Sequence, residues 1–312
     1  MSRRSLTAAL TLAVAAVPNG ALAQAIPDIQ DAISRGGQID EAIRAQEQLR
    51  PRGDMGDQAI GGEAGVYILT VNDIFYVGGA AGAGWMDNPL RTSDDVGGSG
   101  FANAAVTAGV QTRLGGSVDA GLGLTLSGTE YFKDFAPSSR TLSAAANVGT
   151  RIGTSPFYVG ITGFGGYSFD RHFKSSSGFY GANLSLSTAV PLGRKTLLRA
   201  SVDGGRQMGD IKENDNWSAG GSVQLAHALG DRLTVGAEAR ATRNWFDDFY
   251  EDVTFVQRRD WDFGGNVNAS YHITGWLGLT AAIGYQKRSS SFFLSAYDGF
   301  EGQVGLTVRK RF

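Results

Sequence analysis

The chain has 312 residues, a length that fits two ordinary domains or one large β architecture. Lysine and arginine number 28 against 30 acids, and a net charge of -2 argues against a nucleic-acid binder, which needs a basic face to neutralise phosphates. The absence of cysteine excludes disulfide frameworks, thiolate metal sites and cysteine nucleophiles, while 45 glycines with 7 prolines and no Gly-X-Y period lean toward β structure and away from collagen.

Arg3 and Arg4 precede an apolar stretch over residues 6–17, and Ala21-Leu22-Ala23 offers a small-residue cleavage signal ahead of Gln24. This pattern predicts a secretory signal peptide over residues 1–23. An apolar run of about 12 residues is too short to span a ~30 Å hydrocarbon core. Residues 24–62 read as a periplasmic helical and linker segment. Ile29, Ala32 and Ile33 recur at helical spacing, as do Ile39, Ala42 and Ile43; Gly36-Gly37 separates the two, and Pro51 with Gly53 ends the second. A tail, a plug and a docking segment are all open for it.

From Asp73 onward the period becomes two. Val118, Ala120, Leu122, Leu124 and Leu126 alternate with Asp119, Gly121, Gly123 and Thr125. The same split recurs at Leu142, Ala144, Ala146 and Val148, at Leu233, Val235, Ala237 and Ala239, and at Val267, Ala269 and Tyr271. Such strands have one apolar and one polar face. Tight connections at Gly115-Gly116, Gly153, Gly193, Gly230 and Gly275 alternate with longer polar segments near residues 87–99, 131–138, 170–178, 209–216, 246–260 and 288–299. Short turns at one end and long loops at the other predict a transmembrane antiparallel up-and-down β-barrel over residues 63–312, with about twelve strands.

The aromatic residues fall at two levels. Trp85, Tyr131, Phe132, Tyr167, Phe169, Tyr180, Trp217, Trp245, Trp261, Phe263, Tyr285 and Phe300 lie where strands meet long loops. Phe75, Phe157, Tyr271, Trp276 and Phe312 lie near the short turns. Two girdles are what two membrane interfaces require. The final segment, residues 303–312, closes on Phe312 and resembles the terminal signal read by the barrel-assembly machinery, although Lys310 replaces its usual apolar residue. The stretch Gly82-Ala83-Gly84-Trp85-Met86-Asp87-Asn88-Pro89 is similar to the first-strand region of bacterial outer-membrane β-barrel porin families. That resemblance covers about residues 64–312 and implies architecture; it does not imply a solute.

Chemistry-bearing clusters are sparse. Asp170-Arg171-His172 is followed by Ser175-Ser176-Ser177, but neighbours on a strand point to opposite faces, so no catalytic residue is assigned. His227 and His272 lack metal-ligand spacing, and Asp247, Asp248, Glu251 and Asp252 lack that of a calcium loop. No metal or cofactor is expected. Arg171, Lys174, Arg258, Arg259, Lys287 and Arg288 lie near the outer rim, where cations can meet lipopolysaccharide phosphates. Parity assigns Arg113, Asp119, Arg151, Arg199, Asp203, Glu238, Arg240, Asp262, Glu301, Arg309 and Arg311 to the lumen. Mixed signs suggest internal ion pairs or a weakly selective polar path. The expected function is a passive channel or export conduit in the cell outer membrane for small polar or saccharide-like solutes. The alternative is a non-conducting structural, assembly or adhesion barrel. Expected partners are outer-membrane lipid and lipopolysaccharide, the barrel-assembly machinery and a periplasmic or polysaccharide-export component, with no nucleic acid.

Overall fold

The computed structural model describes residues 75–311 apart from 92, 94–96, 115–117, 135, 137, 175, 194, 248–256 and 293–294, and without the side chains at 111, 113, 176, 213 and 309–311. The expected signal peptide, the segment 24–62 and Phe312 lie outside the described residues. Alternating apolar and polar residues extend into β1 (Phe75–Met86), β2 (Ser99–Leu114), β3 (Val118–Tyr131), β4 (Ser139–Arg151), β5 (Phe157–Asp170) and β6 (Ser176–Pro191). The second half continues with β7 (Thr196–Gly209), β8 (Asn216–Ala228), β9 (Leu233–Phe246), β10 (Arg259–His272), β11 (Leu277–Ser290) and β12 (Tyr297–Arg311). One 3-10 turn, Lys212–Asn214, interrupts the connection between β7 and β8.

Each strand pairs antiparallel with its neighbours in sequence, and β1 pairs with β12, so the sheet closes on itself. Closure removes the two unpaired edges that an open sheet would expose, which is the condition for β structure in lipid. Among the described residues no helix is long and apolar enough to cross a membrane; the strands do the crossing. Following the register once around the barrel returns to β1 about 18 positions further along, which corresponds to a strand tilt of roughly 45–50° and a backbone radius of roughly 13 Å. Steep tilt is why strands of 12 to 16 residues are needed.

The two faces divide as the alternation predicts. On β3, Leu122, Leu124 and Leu126 are 51%, 56% and 51% exposed, while Asp119, Thr125 and Thr129 are 2%, 5% and 8% exposed. The exposed set continues around the wall through Val106, Ile161, Leu184, Val202, Val223, Val267, Ile283 and Val304. An apolar belt of this extent far exceeds the few hundred Å² that water-soluble monomers show. On β6 the stretch from Tyr180 to Val190 spans about ten residues, or ~25 Å along the axis at this tilt, the height of a hydrocarbon core. Lipid is the solvent this surface fits.

Short turns and long loops occupy opposite ends. Gly153 and Gly193, in the connections β4–β5 and β6–β7, have φ of 55° and 116°, values open to glycine at little cost. Ile152 and Phe157 close the first of these turns through a backbone bond of 3.0 Å. On β1 the inward glycines leave room for larger neighbours. A Cβ on Gly82 would lie 2.6 Å from the Gln303 amide and 3.1 Å from Asn103 Oδ1. Their absence lets Gln303 Nε2 donate to Asn103 Oδ1 at 3.1 Å across the strand that closes the barrel.

Candidate functional site

The interior is the candidate site, and register fixes which side chains reach it. Inward positions alternate with the lipid-facing ones, so β7 presents Arg199, Ser201 and Asp203, and β9 presents Glu238 and Arg240. Arg199, Asp203 and Arg240 are half-buried, as is Arg151 near the short-turn end of β4. Asp119 and Glu238 are buried. At mid-height Asp203 lies opposite Ser185 and Gly220, and Glu238 opposite Gln224 and Asn266, so charge alternates there with neutral polar groups. The guanidinium of Arg240 lies over Gly264, where an added Cβ would sit 2.9 Å from its Nε. Arg113 pairs in register with Asp119 near the short-turn end of β2, and Arg309 with Gly78 of β1; their side chains lie outside the described set.

The remaining expected lumen residues, Asp262 and Glu301, belong to a cluster at the long-loop end. Asp260, fully buried, accepts from Arg258 Nη2 at 2.6 Å and from Ser290 Oγ at 2.6 Å. Arg288 Nε donates to Asp262 Oδ1 at 2.6 Å and stands 3.5 Å from Asp260. Asn244 donates to the other Asp262 oxygen at 2.7 Å. Beside them Arg91, from the first long loop, pairs with Glu301 at 3.6 Å, and Gln286 donates to Glu301 at 2.7 Å. The Tyr297 ring lies between, 5.2 Å from the Arg288 guanidinium and 5.6 Å from that of Arg91. Three cations thus meet three carboxylates, and the matching of charge is what permits their burial. Next to this cluster Phe101 packs edge-on against Tyr131 with ring centroids 6.1 Å apart, and Met86 completes the apolar part.

Several expectations change here. Arg258 and Arg288 point into the barrel and are consumed by Asp260 and Asp262, so neither is available to lipid phosphates. Tyr131 packs inside, at an inward position of β3, and does not join the outer girdle. The other expected outer-girdle tryptophans, Trp85, Trp217, Trp245 and Trp261, are exposed on the lipid side, and Trp276 is exposed near a short turn. Asp170 Oδ1 accepts the backbone N–H groups of His172 and Lys174, both at 2.9 Å, so that carboxylate shapes its own loop and does not orient the histidine ring. His227 meets Thr196 Oγ1 at 2.8 Å near a short turn. Asp247 pairs with Arg206, while 248–252 lie outside the described residues. Parity could have found Arg288 and Tyr131; Arg258 stands outside any strand, where no alternation applies.

No protein-family model and no curated protein matches the sequence. The backbone is similar to that of an outer-membrane channel from Pseudomonas putida F1, with a TM-score of 0.55 at 11% identity over 80% of this chain and 100% of that one. The fold is that of an outer-membrane β-barrel. More distant likenesses are the KdgM porin, with a TM-score of 0.41 at 11% identity over 74% of this chain and 98% of that one, and LpxR from Salmonella typhimurium, with a TM-score of 0.42 at 10% identity over 74% and 99%. Identities this low speak to architecture alone.

Proposed function

We propose that the protein is a passive channel of the outer membrane for small polar or saccharide-like solutes. Its action is steric and electrostatic, with no covalent step. The supporting observation is the mid-height interior, where Arg199, Asp203 and Arg240 remain half-exposed inside a wall whose outer face is apolar. A dry core would leave such groups desolvated at large cost, whereas water in a lumen hydrates them. Carboxylates and guanidinia together favour neither ion sign strongly. The similar Pseudomonas putida barrel is described as a channel, in keeping with this reading. Delivery by a signal peptide cleaved after Ala23 and insertion by the barrel-assembly machinery complete it.

The test is single-channel recording from folded protein in planar bilayers. Discrete conductance steps support the proposal, and silence from heat-modifiable, correctly folded barrel overturns it. Residues 24–62 belong to the same experiment: deleting them raises conductance when the segment plugs the lumen and leaves it unchanged otherwise.

One observation favours a second reading, a barrel that does not conduct and serves as a structural or binding partner. At the long-loop end Ser99, Phe101 and Asp260 are fully buried, and the ion-paired Arg91, Arg258 and Arg288 are buried beside them. Replacing Arg288 and Asp260 together by alanine separates the two: conduction appearing only in the variant supports the closed barrel.

A further inference from the structure

The lipid-facing side of the outer girdle holds cations as well as aromatic rings. Arg140, Arg206, Arg243, Arg259 and Lys287 all occupy outward positions near the long-loop end of their strands. Two are matched by carboxylates: Arg140 donates to Glu130 at 2.7 Å, and Arg206 forms a two-armed pair with Asp247. Lys287 is registered opposite Asp298, whose carboxylate already accepts the Tyr285 hydroxyl at 2.7 Å. Arg243 and Arg259 differ. Among the described residues neither has a carboxylate within ion-pair distance, and the polar side-chain contact of Arg259 is a long one, 3.5 Å to Gln257.

These two arginines alternate with two tryptophans on adjacent strands. Arg259 is registered opposite Trp245, and Arg243 opposite Trp261. The Arg243 guanidinium lies 5.0 Å from the Trp261 ring and 5.9 Å from that of Trp245. Stacking of this kind fixes the guanidinium plane and leaves its N–H edge free for an anion. Diagonal neighbours on paired strands stand about 7–8 Å apart, within the reach of two long side chains toward one phosphate. Below Arg243 the lipid-side residues are small: Ala241, Ala239 and Ala237 on β9, with Gly221 on β8 and Gly265 on β10 as neighbours. Their other register neighbours, Phe263 opposite Ala241, Val223 opposite Ala239, and Leu225 and Val267 opposite Ala237, are large and exposed and form the flanks. The wall is thus a shallow furrow, headed by two cations that have no carboxylate partner among the described residues.

We infer that Arg243 and Arg259 bind the phosphate of an outer-leaflet lipid whose acyl chain lies along the alanine furrow of β9. The inference rests on the membrane placement of the barrel, with the long loops outward, and is independent of conduction. Charge supplies half of the match, since a cation at this level with no carboxylate partner among the described residues is stabilised by a lipid anion. Shape supplies the other half, because small side chains admit a chain where valines would stand proud.

The test is native mass spectrometry of the detergent-solubilised full barrel, with gel mobility before and after heating as the check that each variant is folded. The probes are bisphosphorylated lipid A, dephosphorylated lipid A, phosphatidylglycerol and inorganic phosphate. Wild type is expected to retain bisphosphorylated lipid A, and R243Q/R259Q to hold it about tenfold more weakly or less. The variant K195Q, at an exposed lysine in the short β6–β7 turn at the opposite end of the barrel, should match wild type. Equal retention of phosphatidylglycerol assigns the site to phospholipid and leaves the phosphate-and-chain chemistry standing. Retention by the double variant equal to wild type, equal binding of dephosphorylated lipid A, or displacement by inorganic phosphate alone would each overturn the inference. A wild-type protein that fails to fold as a heat-modifiable barrel would instead overturn the membrane placement itself.

Discussion

Replacing Leu124 by arginine measures how deeply the apolar belt is immersed. Leu124 is 56% exposed on the lipid side of β3, with Ala108 and Ala144 opposite it on the neighbouring strands, so its removal leaves little protein packing behind. It stands midway between Val118 and Glu130, which begin and nearly end the strand. At a tilt of roughly 45–50° that position is ~13–14 Å from either boundary, close to the bilayer midplane. An arginine at the midplane costs about 2–4 kcal/mol in a barrel, and about 0–1 kcal/mol near an interface. Leu124→Arg should therefore lower the folded population roughly 30- to 700-fold, while Val118→Arg should change it little. Urea unfolding of barrel in thin-bilayer vesicles, followed by tryptophan emission, reads both numbers. Equal destabilisation at the two positions would refute the depth assigned to β3.

Asp260→Ala leaves three buried guanidinium groups facing two carboxylates and should cost about 3–5 kcal/mol in the same urea assay; a loss below about 1 kcal/mol would mean that water reaches the cluster. Gly84→Ala places a methyl against the Gly302 carbonyl oxygen and 2.6 Å from the Phe101 ring, so the heat-modification midpoint should fall, whereas Gly163→Ala meets nothing within 4 Å and should leave it unchanged. The Arg206 guanidinium holds the Asp247 carboxyl below its usual range through a charge-assisted hydrogen bond. A lowered folded pKa contributes stability above the unfolded value of ~4 and loses it as pH falls through the folded value. The melting temperature of wild type should thus drop more steeply below pH 4 than that of Asp247→Asn, and parallel curves would contradict the pair.

Much of this architecture is legible in the sequence because strand geometry has a period of two, and the period alone assigns a face. Leu122, Leu124 and Leu126 face lipid for the reason that Asp119 and Thr125 do not. The strand ends are also legible, since glycine-bearing turns alternate with long polar loops; the period of two expected from Asp73 is described from Phe75, where β1 begins. The same parity places Tyr131 inside, but the ring type and its position beside a loop suggest the girdle, and only the packing against Phe101 decides. Arg258 and Arg288 read as rim cations because both stand beside long loops; the contacts with Asp260 and Asp262 are what turn them inward. The pairing of Arg91 with Glu301 joins residues from the two ends of the described chain, and no local pattern signals it. Shear is likewise hidden, because it depends on the offsets at all twelve seams together.

The chain contains no cysteine, so single-cysteine variants at residues 122 to 126 can each carry one nitroxide label. Oxygen collides mostly with labels in lipid, and a water-soluble nickel chelate mostly with labels in aqueous surroundings. For the barrel in vesicles, positions 122, 124 and 126 should show high oxygen and low nickel accessibility, and positions 123 and 125 should show lower oxygen accessibility in strict alternation. Accessibility that varies without that two-residue period, or is high toward nickel at all five positions, would contradict a wall with lipid on one side and a polar interior on the other.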